Sequence, residues 1–520
     1  MLPFNNLSEF TFPLFIGYAE IHYHLKYLYP RYFRREPEII ADVPNRCLKE
    51  ITTMLPVLII VKDAHLFPIF LKEIEIQISG KKNKTKYSFQ IDKKISDKYF
   101  SQILEVELNE FETEQILEIN VKINYQMKNK IKIAINDNYP HLKKQPFRCY
   151  FAEKKLPFSK NWFPGEPHYH SIHTSDQVEF GADIDSTKIM AKAMGLKWFF
   201  VTDHSYDLDD CEDDCTRNDP DLPIWKRMLK SCKEADESDF RVIHGEEISI
   251  GNSEGKNIHL LAINHPEFIE GSGDSAERWF RNKPQHNITE IKEKHTKENL
   301  FIAAHPFEEV PFLQRLTLRR GEWDESDMET SGIHFLQGIN STDPVDLIYS
   351  IEMWKSMLQL GYKFFLIAGN DAHGNFNVMR QIKSPFWKLF SSQKQTFGKF
   401  FTAFCFEKND PIPGIKSGNM IVSNGPFLNF CLKKDNVSFP IGSTIISGSY
   451  ELLFESATTI EFGEITEINI FIGSLNELNE TRINHPQSKF TFNLPAKSYV
   501  RMNLNTKNGG TAFTNPIWVE

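Results

Sequence analysis

The feature that most restricts this chain is where its histidines and acids fall. Twelve of its 17 histidines lie between His168 and His373, and several of them, with acids beside them, sit at the ends of short apolar runs. His168 and His170 form a His-x-His pair. Asp203–His204 ends the run Trp198–Thr202, and Glu246–Glu247 ends Phe240–His244. His259 lies within Asn257–Ile263, His305 ends Leu300–Ala304, and Asp371 and His373 follow Phe364–Ala368. Helical stretches alternate with these runs. Asp185 or Ser186 can cap a helix that reaches about Met194, with Gly195 as its left-handed stop. The rhythm predicts an α/β barrel-like domain. Such folds build their sites at the carboxyl ends of the strands, so six segments deliver His, Asp or Glu to one rim.

These residue types point to metal chemistry. Imidazole nitrogen and carboxylate oxygen suit Zn, Mn or Fe and need no thiolate. In His-x-His on a strand both side chains point to one face and can grip one ion together. Two or three divalent transition metal ions sharing a carboxylate lower the pKa of bound water and stabilise charge on a substrate oxygen. Other residues fit less specific roles. A second pair, His22 and His24, has no partner motif and reads as surface or packing. His244, His265 and His334 fit no ligand position and read as structural. The acidic stretch Ser205–Asp221 reads as a solvated loop, the sharper alternative being a lid in which Asp207 adds a ligand. Arg319 and Arg320 read as surface charges, with a phosphate clamp as the alternative. Asn340 and Asn370 end predicted strands at the same rim, within reach of a substrate.

The flanks have a different texture. Ile74, Ile76 and Ile78, then Ile119, Val121 and Ile123, then Ile131, Ile133 and Ile135 alternate with polar residues, as strands with one buried face do. Gly80–Lys86 reads as a turn, and Tyr18–Phe33 as a less regular aromatic segment. Alternation returns at Ile468, Ile470 and Ile472 and at Val500, Met502 and Leu504. The 520 residues predict about three domains: a β-rich 1–155, an α/β 156–408 and a β-sandwich-like 409–520. Net charge is −9, from 60 basic and 69 acidic residues, with no basic stripe, which disfavours nucleic acid as a partner. The apolar run Met54–Val61 is far short of the roughly 20 residues of a membrane span. No secretory signal is expected at the start, and seven scattered cysteines predict a reduced, cytoplasmic setting.

The segments HYHSIHTSD, VTDHS, HGEEIS, NIHLLAI, AAHP and GNDAHG, in that order, resemble the successive motifs of the PHP (polymerase and histidinol phosphatase) superfamily. The resemblance covers roughly residues 160–375. SNGPFL at Ser423–Leu428 and the terminal TNPIWV resemble the tail of a branch that includes carbaryl-type ester and carbamate hydrolases. The resemblance implies a distorted (β/α) barrel flanked by two β-rich domains. It implies that His168, His170 and Asp371 bind one metal, that Glu247 bridges two, and that His259 and His305 complete the second site. His204 would face a second or third ion and His373 the third, with Asp203 orienting a ligand from behind. The sequence departs from the family pattern in two places. Glu166, followed by Pro167, stands where Asp is common, and the acid after His-x-His is Asp176, one position late, with His173 as a substitute.

The implied activity is metal-assisted hydrolysis of a small-molecule substrate, with Asp203, His204, Glu247 and His305 as the catalytic set. A phosphoesterase leads, by analogy with the superfamily. An ester, carbamate or amide hydrolase is the second expectation, and a non-catalytic binding protein on the same scaffold the third.

Overall fold

The computed structural model describes residues 36–520 except 52, 140–141, 175–180, 213, 272, 274, 276–282, 295, 297, 311, 384–387, 476, 478 and 485–488. Tyr18–Phe33, with His22 and His24, and Asp176 lie outside the described residues.

The N-terminal part is two β-sheets around one core. One sheet joins Glu38–Asp42, Met54–Lys62 and Tyr99–Glu107. The other runs Arg46–Leu48, Phe147–Ala152, Gln115–Met127, Ile69–Ser79 and Lys84–Ile95, with Lys130–Ile135 added to Gln115–Met127. Alternation fixes the register. Ile74 pairs with Ile123, Ile76 with Val121 and Ile78 with Ile119, and all six are fully buried. Cross-strand pairs of this kind are the unit of sheet stabilisation, and a slip by one residue would expose all of them.

The third stripe behaves otherwise. Ile131, Ile133 and Ile135 are 68%, 56% and 44% exposed, whereas Ala134 is buried. They pair with Gln126, Asn124 and Lys122, the solvent-facing residues of the neighbouring strand. The tight return at residues 128–129 sets that register, and it overrides the apolar pattern.

A fifteen-stranded sheet runs through the rest of the chain. Its order is Phe365–Ala368, Phe335–Ile339, Leu300–Ala303, Asn257–Ile263, Arg241–Gly251, Trp198–Val201, Trp162–Glu166, Phe401–Cys405 and Met420–Ser423. It continues through Thr511–Thr514, Ser498–Thr506, Ile465–Ser474 and Glu480–Asn484, and Ile517–Val519, paired with Ser498–Thr506, and Thr444–Ile445 beside it complete the fifteen. Trp198–Val201 pairs in parallel with both its neighbours, and Phe335–Ile339 does so too. Asn257–Ile263 is antiparallel to both of its own. The helices Ile184–Met194, Pro223–Ala235 and Pro344–Gln359 link the strands. Asp183, not Asp185 or Ser186, caps the first of them by accepting from the Ser186 amide, and Gly195 ends it at φ 91°.

The region is therefore mixed α/β, but its backbone ladder does not close into a barrel among the described residues. Side chains bridge the seam. Thr402 Oγ1 accepts from the Ala368 amide and donates to the Ala368 carbonyl, at 2.9 and 3.0 Å. Asn515 makes the same two-way contact with Leu366, at 2.7 and 3.0 Å. Glu246–Glu247 also departs from expectation. The strand does not stop at His244 but continues to Gly251, because Asn257–Ile263 folds back along it as a hairpin.

At the C-terminal end, a sheet of Val437–Pro440, Phe427–Lys434, Gly448–Ala457 and Lys489–Leu494 packs on the tail of the long sheet. Ile470, Val500, Met502 and Leu504 are fully buried there. No helix among the described residues is long and apolar enough to cross a membrane.

Candidate metal centre

Three local arrangements bring the site together. His168 precedes and His170 ends the short strand Tyr169–His170, which pairs in parallel with Ala372–His373. That pairing aligns His170 with His373 and sets Asp371 beside both histidines of the pair. The Glu247 amide donates to the Asp203 carbonyl at 2.9 Å, which places Glu247 beside His204 in an isolated parallel bridge. His259 reaches the same end from the start of its strand, because that strand is antiparallel to its neighbours. His305 and Asp371 take left-handed backbone angles, φ 29° and 50°. For residues other than glycine this costs on the order of 1 kcal/mol or more each, a kind of strain that collects at functional sites.

The side chains converge on Glu247. Its Oε2 lies 3.5 Å from His168 Nε2, 3.3 Å from His170 Nε2 and 3.0 Å from His204 Nδ1. Its Oε1 lies 2.6 Å from His259 Nδ1 and 3.1 Å from His305 Nε2. Asp371 Oδ1 is 3.2 Å from His168 Nε2 and 3.0 Å from His170 Nε2. The His373 ring stacks on His170 with centroids 4.1 Å apart. Three groups have ligand atoms close enough to share an ion: His168, His170, Glu247 and Asp371; Glu247, His259 and His305; and His170, His204 and His373.

The hydrogen-bond network decides which nitrogens face inward. His168 Nδ1 donates to Gln337 Oε1 at 2.7 Å. Thr174 Oγ1 donates to Asp203 Oδ1 at 2.9 Å and so accepts from His170 Nδ1 at 3.2 Å. Both Nε2 atoms then carry lone pairs into one space, 3.1 Å apart, facing two carboxylates. Four electron-rich atoms in a buried space require a cation. Without a metal a proton takes that part. Burial pulls the His170 imidazole down, but Asp371 and Glu247 outweigh it and hold its pKa well above the ordinary range. Burial likewise pushes Glu247 up, yet His259 and His168 hold it well below the ordinary range. Burial, with the neighbouring His170, brings His204 down to about 4. Glu247 is thus ionised and His204 neutral, as a metal ligand set needs, and a metal would take the place of the proton that His170 holds.

Around these groups lie residues with supporting roles. Asp203 accepts from the Ser171 amide and hydroxyl, both at 2.6 Å, and from Thr174. It thus holds the turn after His-x-His and orients His170 through Thr174. Gln337, which the sequence reading passed over, holds His168 and also accepts from the His305 amide at 3.3 Å. Its one sequence signal is a lone amide side chain inside the buried strand Phe335–Ile339.

Glu166 is not among the grouped ligands. It is buried and accepts from the amides of His168, Asn370 and Gly398 at 3.2, 2.8 and 3.1 Å, and burial pushes it up to about 7 against those donors. Asn370 is likewise a clamp and not a substrate contact: its side chain bonds Glu166 and both backbone groups of Phe400. Asn340 is half-buried just past Ile339. His173 is buried beside the site, its amide donating to Ser171 Oγ, and joins no ligand group among the described residues.

The acidic stretch is only partly solvated. Asp207, Asp209 and Asp210 are buried, because the chain there forms the turn of helix Ser205–Leu208 and a small hairpin. Asp207 joins none of the ligand groups either. Arg319 is exposed. Arg320 turns inward to His259 Nε2 and lines a cavity of about 60 Å³ with His259, His305, Gln314 and Trp323. His244 and His265 serve structure, with ring nitrogens on the backbone carbonyls of His265 and Glu267.

No family model matches the chain, and no curated protein matches it. Among solved structures it is similar to a β-glucuronidase of Parabacteroides merdae at 9% identity and a TM-score of 0.20, covering 94% of this chain and 64% of that one. A second structure of that enzyme, with glycerol in its active site, gives 8% and 0.19. Dimeric latent PorU from Porphyromonas gingivalis gives 7% and 0.13, with 34% of its length covered. The chain thus spans under two thirds of each of these proteins, and likenesses at such TM-scores carry no argument about fold or activity.

Proposed function

We propose that the protein is a metal-dependent hydrolase of the PHP type, acting on phosphate esters. One observation carries the reading: a single buried carboxylate, Glu247, contacted by five imidazoles, with a second carboxylate, Asp371, on two of them. In this reading His168, His170, Asp371 and Glu247 would hold one ion, Glu247, His259 and His305 a second, and His170, His204 and His373 a third. Bound there, two or three divalent transition metal ions would supply a water of lowered pKa and positive charge opposite a developing oxyanion.

The chain's own residues do the positioning. Gln337 and Thr174 fix the two imidazoles of the His-x-His pair, so that only their lone pairs point inward. The small cavity beside His259 and His305 has room for one group of a substrate. The Arg320 guanidinium at its wall favours an anionic group such as phosphoryl over a neutral ester, since planar forked donors match oxyanions. Arg320 is thus the specificity residue of this reading.

Elemental mass spectrometry of the purified protein tests the centre. We expect two or three equivalents of Zn, Mn or Fe, lost in a His170→Ala/Glu247→Ala double variant. A wild type that is metal-free and cannot be reconstituted would sink the proposal. A panel of phosphate monoesters and diesters beside aryl esters and carbamates tests the substrate class, and turnover of the second set alone would refute it. Glu247→Gln should lower kcat/KM by about 100-fold or more. Arg320→Ala should raise KM for a phosphate ester by about tenfold, the value of one hydrogen bond to a charged group, while Arg319→Ala leaves it unchanged.

A further inference from the structure

A second cavity, of about 230 Å³, lies where the N-terminal sheets, the central region and the C-terminal part meet. Arg46, Arg148 and Tyr150 come from the adjacent strands Arg46–Leu48 and Phe147–Ala152. Lys399 comes from the segment before Phe401–Cys405, and Glu461 from the C-terminal part. Three basic side chains face one acid, on a chain whose net charge is −9.

Most polar groups of this wall are already used. Arg46 donates to Glu461 at 2.6 Å and to the carbonyls of Met194 and Lys154 at 3.0 and 2.6 Å. Tyr150 donates to Glu114 at 2.7 Å. Asn45 and Asn377 donate to backbone carbonyls. Two cations are left over. The Arg148 guanidinium and the Lys399 ammonium have no hydrogen-bond or ion-pair partner among the described residues, and they repel each other. Burial pulls Lys399 below the ordinary lysine range; Glu461 works the other way and Arg148 adds to the fall. Glu461 is already engaged by Arg46, so the half-buried Lys399 and the exposed Arg148 line the cavity with no carboxylate hydrogen-bonded to either among the described residues, and an oxyanion would join them.

We propose that this cavity binds a small molecule through a dianionic oxyanion group, of phosphoryl type, with Arg148 and Lys399 as its counter-charges. The space exceeds one phosphate ion, so the group is carried on a larger molecule. The site is separate from the candidate metal centre and stands whether or not that centre is catalytic. One strap joins the two: Gly398, next to Lys399, donates to Glu166, which also holds the His168 amide.

Equilibrium dialysis of radiolabelled inorganic phosphate tests the inference, with full-length protein stripped of metal by chelator and carrying Arg320→Ala so that the cavity beside the candidate metal centre does not contribute. We expect saturable binding of one phosphate per chain. It should weaken at least tenfold in Arg148→Gln/Lys399→Gln, survive in Arg148→Lys/Lys399→Arg, and be unchanged in Glu247→Gln. Sulfate should compete and chloride at equal ionic strength should not. Arg148→Gln alone alters an exposed side chain and guards against a folding artefact; it should weaken binding several-fold. No saturable binding to the stripped protein, or equal binding in the double glutamine variant, would overturn the proposal.

Discussion

Gln337 shows how much of the candidate metal centre lies behind its grouped side chains. Its amide oxygen takes the His168 ring proton and the His305 amide, and its nitrogen donates to the Gly369 carbonyl at 2.9 Å. One side chain thus positions parts of two ligand groups. Gln337→Leu should lower metal affinity about 10- to 100-fold while the fold persists; competitive chelator titration beside a thermal melt would measure both. Affinity equal to wild type would show that His168 needs no orientation. The candidate ligands stand out in the sequence, because histidine and acid at strand ends have few other uses, and the structure brings eight of the nine to one place, the ninth, Asp176, lying outside the described residues. Gln337 was not legible, because its chemistry is ordinary and its role comes from burial, which spacing does not report. Arg320 was misjudged beside Arg319 for the same reason. Two adjacent arginines look alike until the backbone sends one inward.

Among the elements, alternation read well wherever cross-strand pairing agreed with it, as at Ile74–Ile78 against Ile119–Ile123. It misled at Ile131–Ile135, where a turn fixed the register. It was silent on the hairpin that carries Glu247, since a buried strand looks the same whether it stops at His244 or runs on. Contacts between elements were equally hidden. Asp42, at the end of Glu38–Asp42, accepts from the Val43 and Phe376 amides at 2.8 and 3.0 Å and so ties the N-terminal sheets to the chain just past His373. Burial pushes this carboxyl up to about 6, against Arg380 and the backbone donors. The folded state therefore holds the proton more tightly than the unfolded chain does. Stability falls as pH rises from about 4 through about 6 and is level above that. Asp42→Asn cannot ionise, so relative to wild type it should gain up to about 3 kcal/mol across that window. Urea melts at several pH values would show the gain, and a constant difference between the two proteins would refute it.

For the whole molecule, sequence texture predicts three regions, and it does not reveal that one sheet threads the second and third of them. The ladder that holds Trp198–Val201 and Phe401–Cys405 passes without a break through Met420–Ser423 into the C-terminal strands. Asn515, in the C-terminal part, bonds both backbone groups of Leu366, in the strand that leads to Asp371. A chain ending at residue 408 should leave Phe401–Cys405 as a bare edge and come out aggregated, since unpaired edges recruit other chains. A monomeric, metal-loaded 1–408 fragment on size exclusion would refute this. The consequence reaches beyond stability. A candidate metal centre whose supporting strand is stitched by Asn515 from the C-terminal part cannot be passed between proteins as a cassette. Its C-terminal part must be inherited with it, and the two would diverge at a common pace along the shared ladder, whatever ligand each learns to bind.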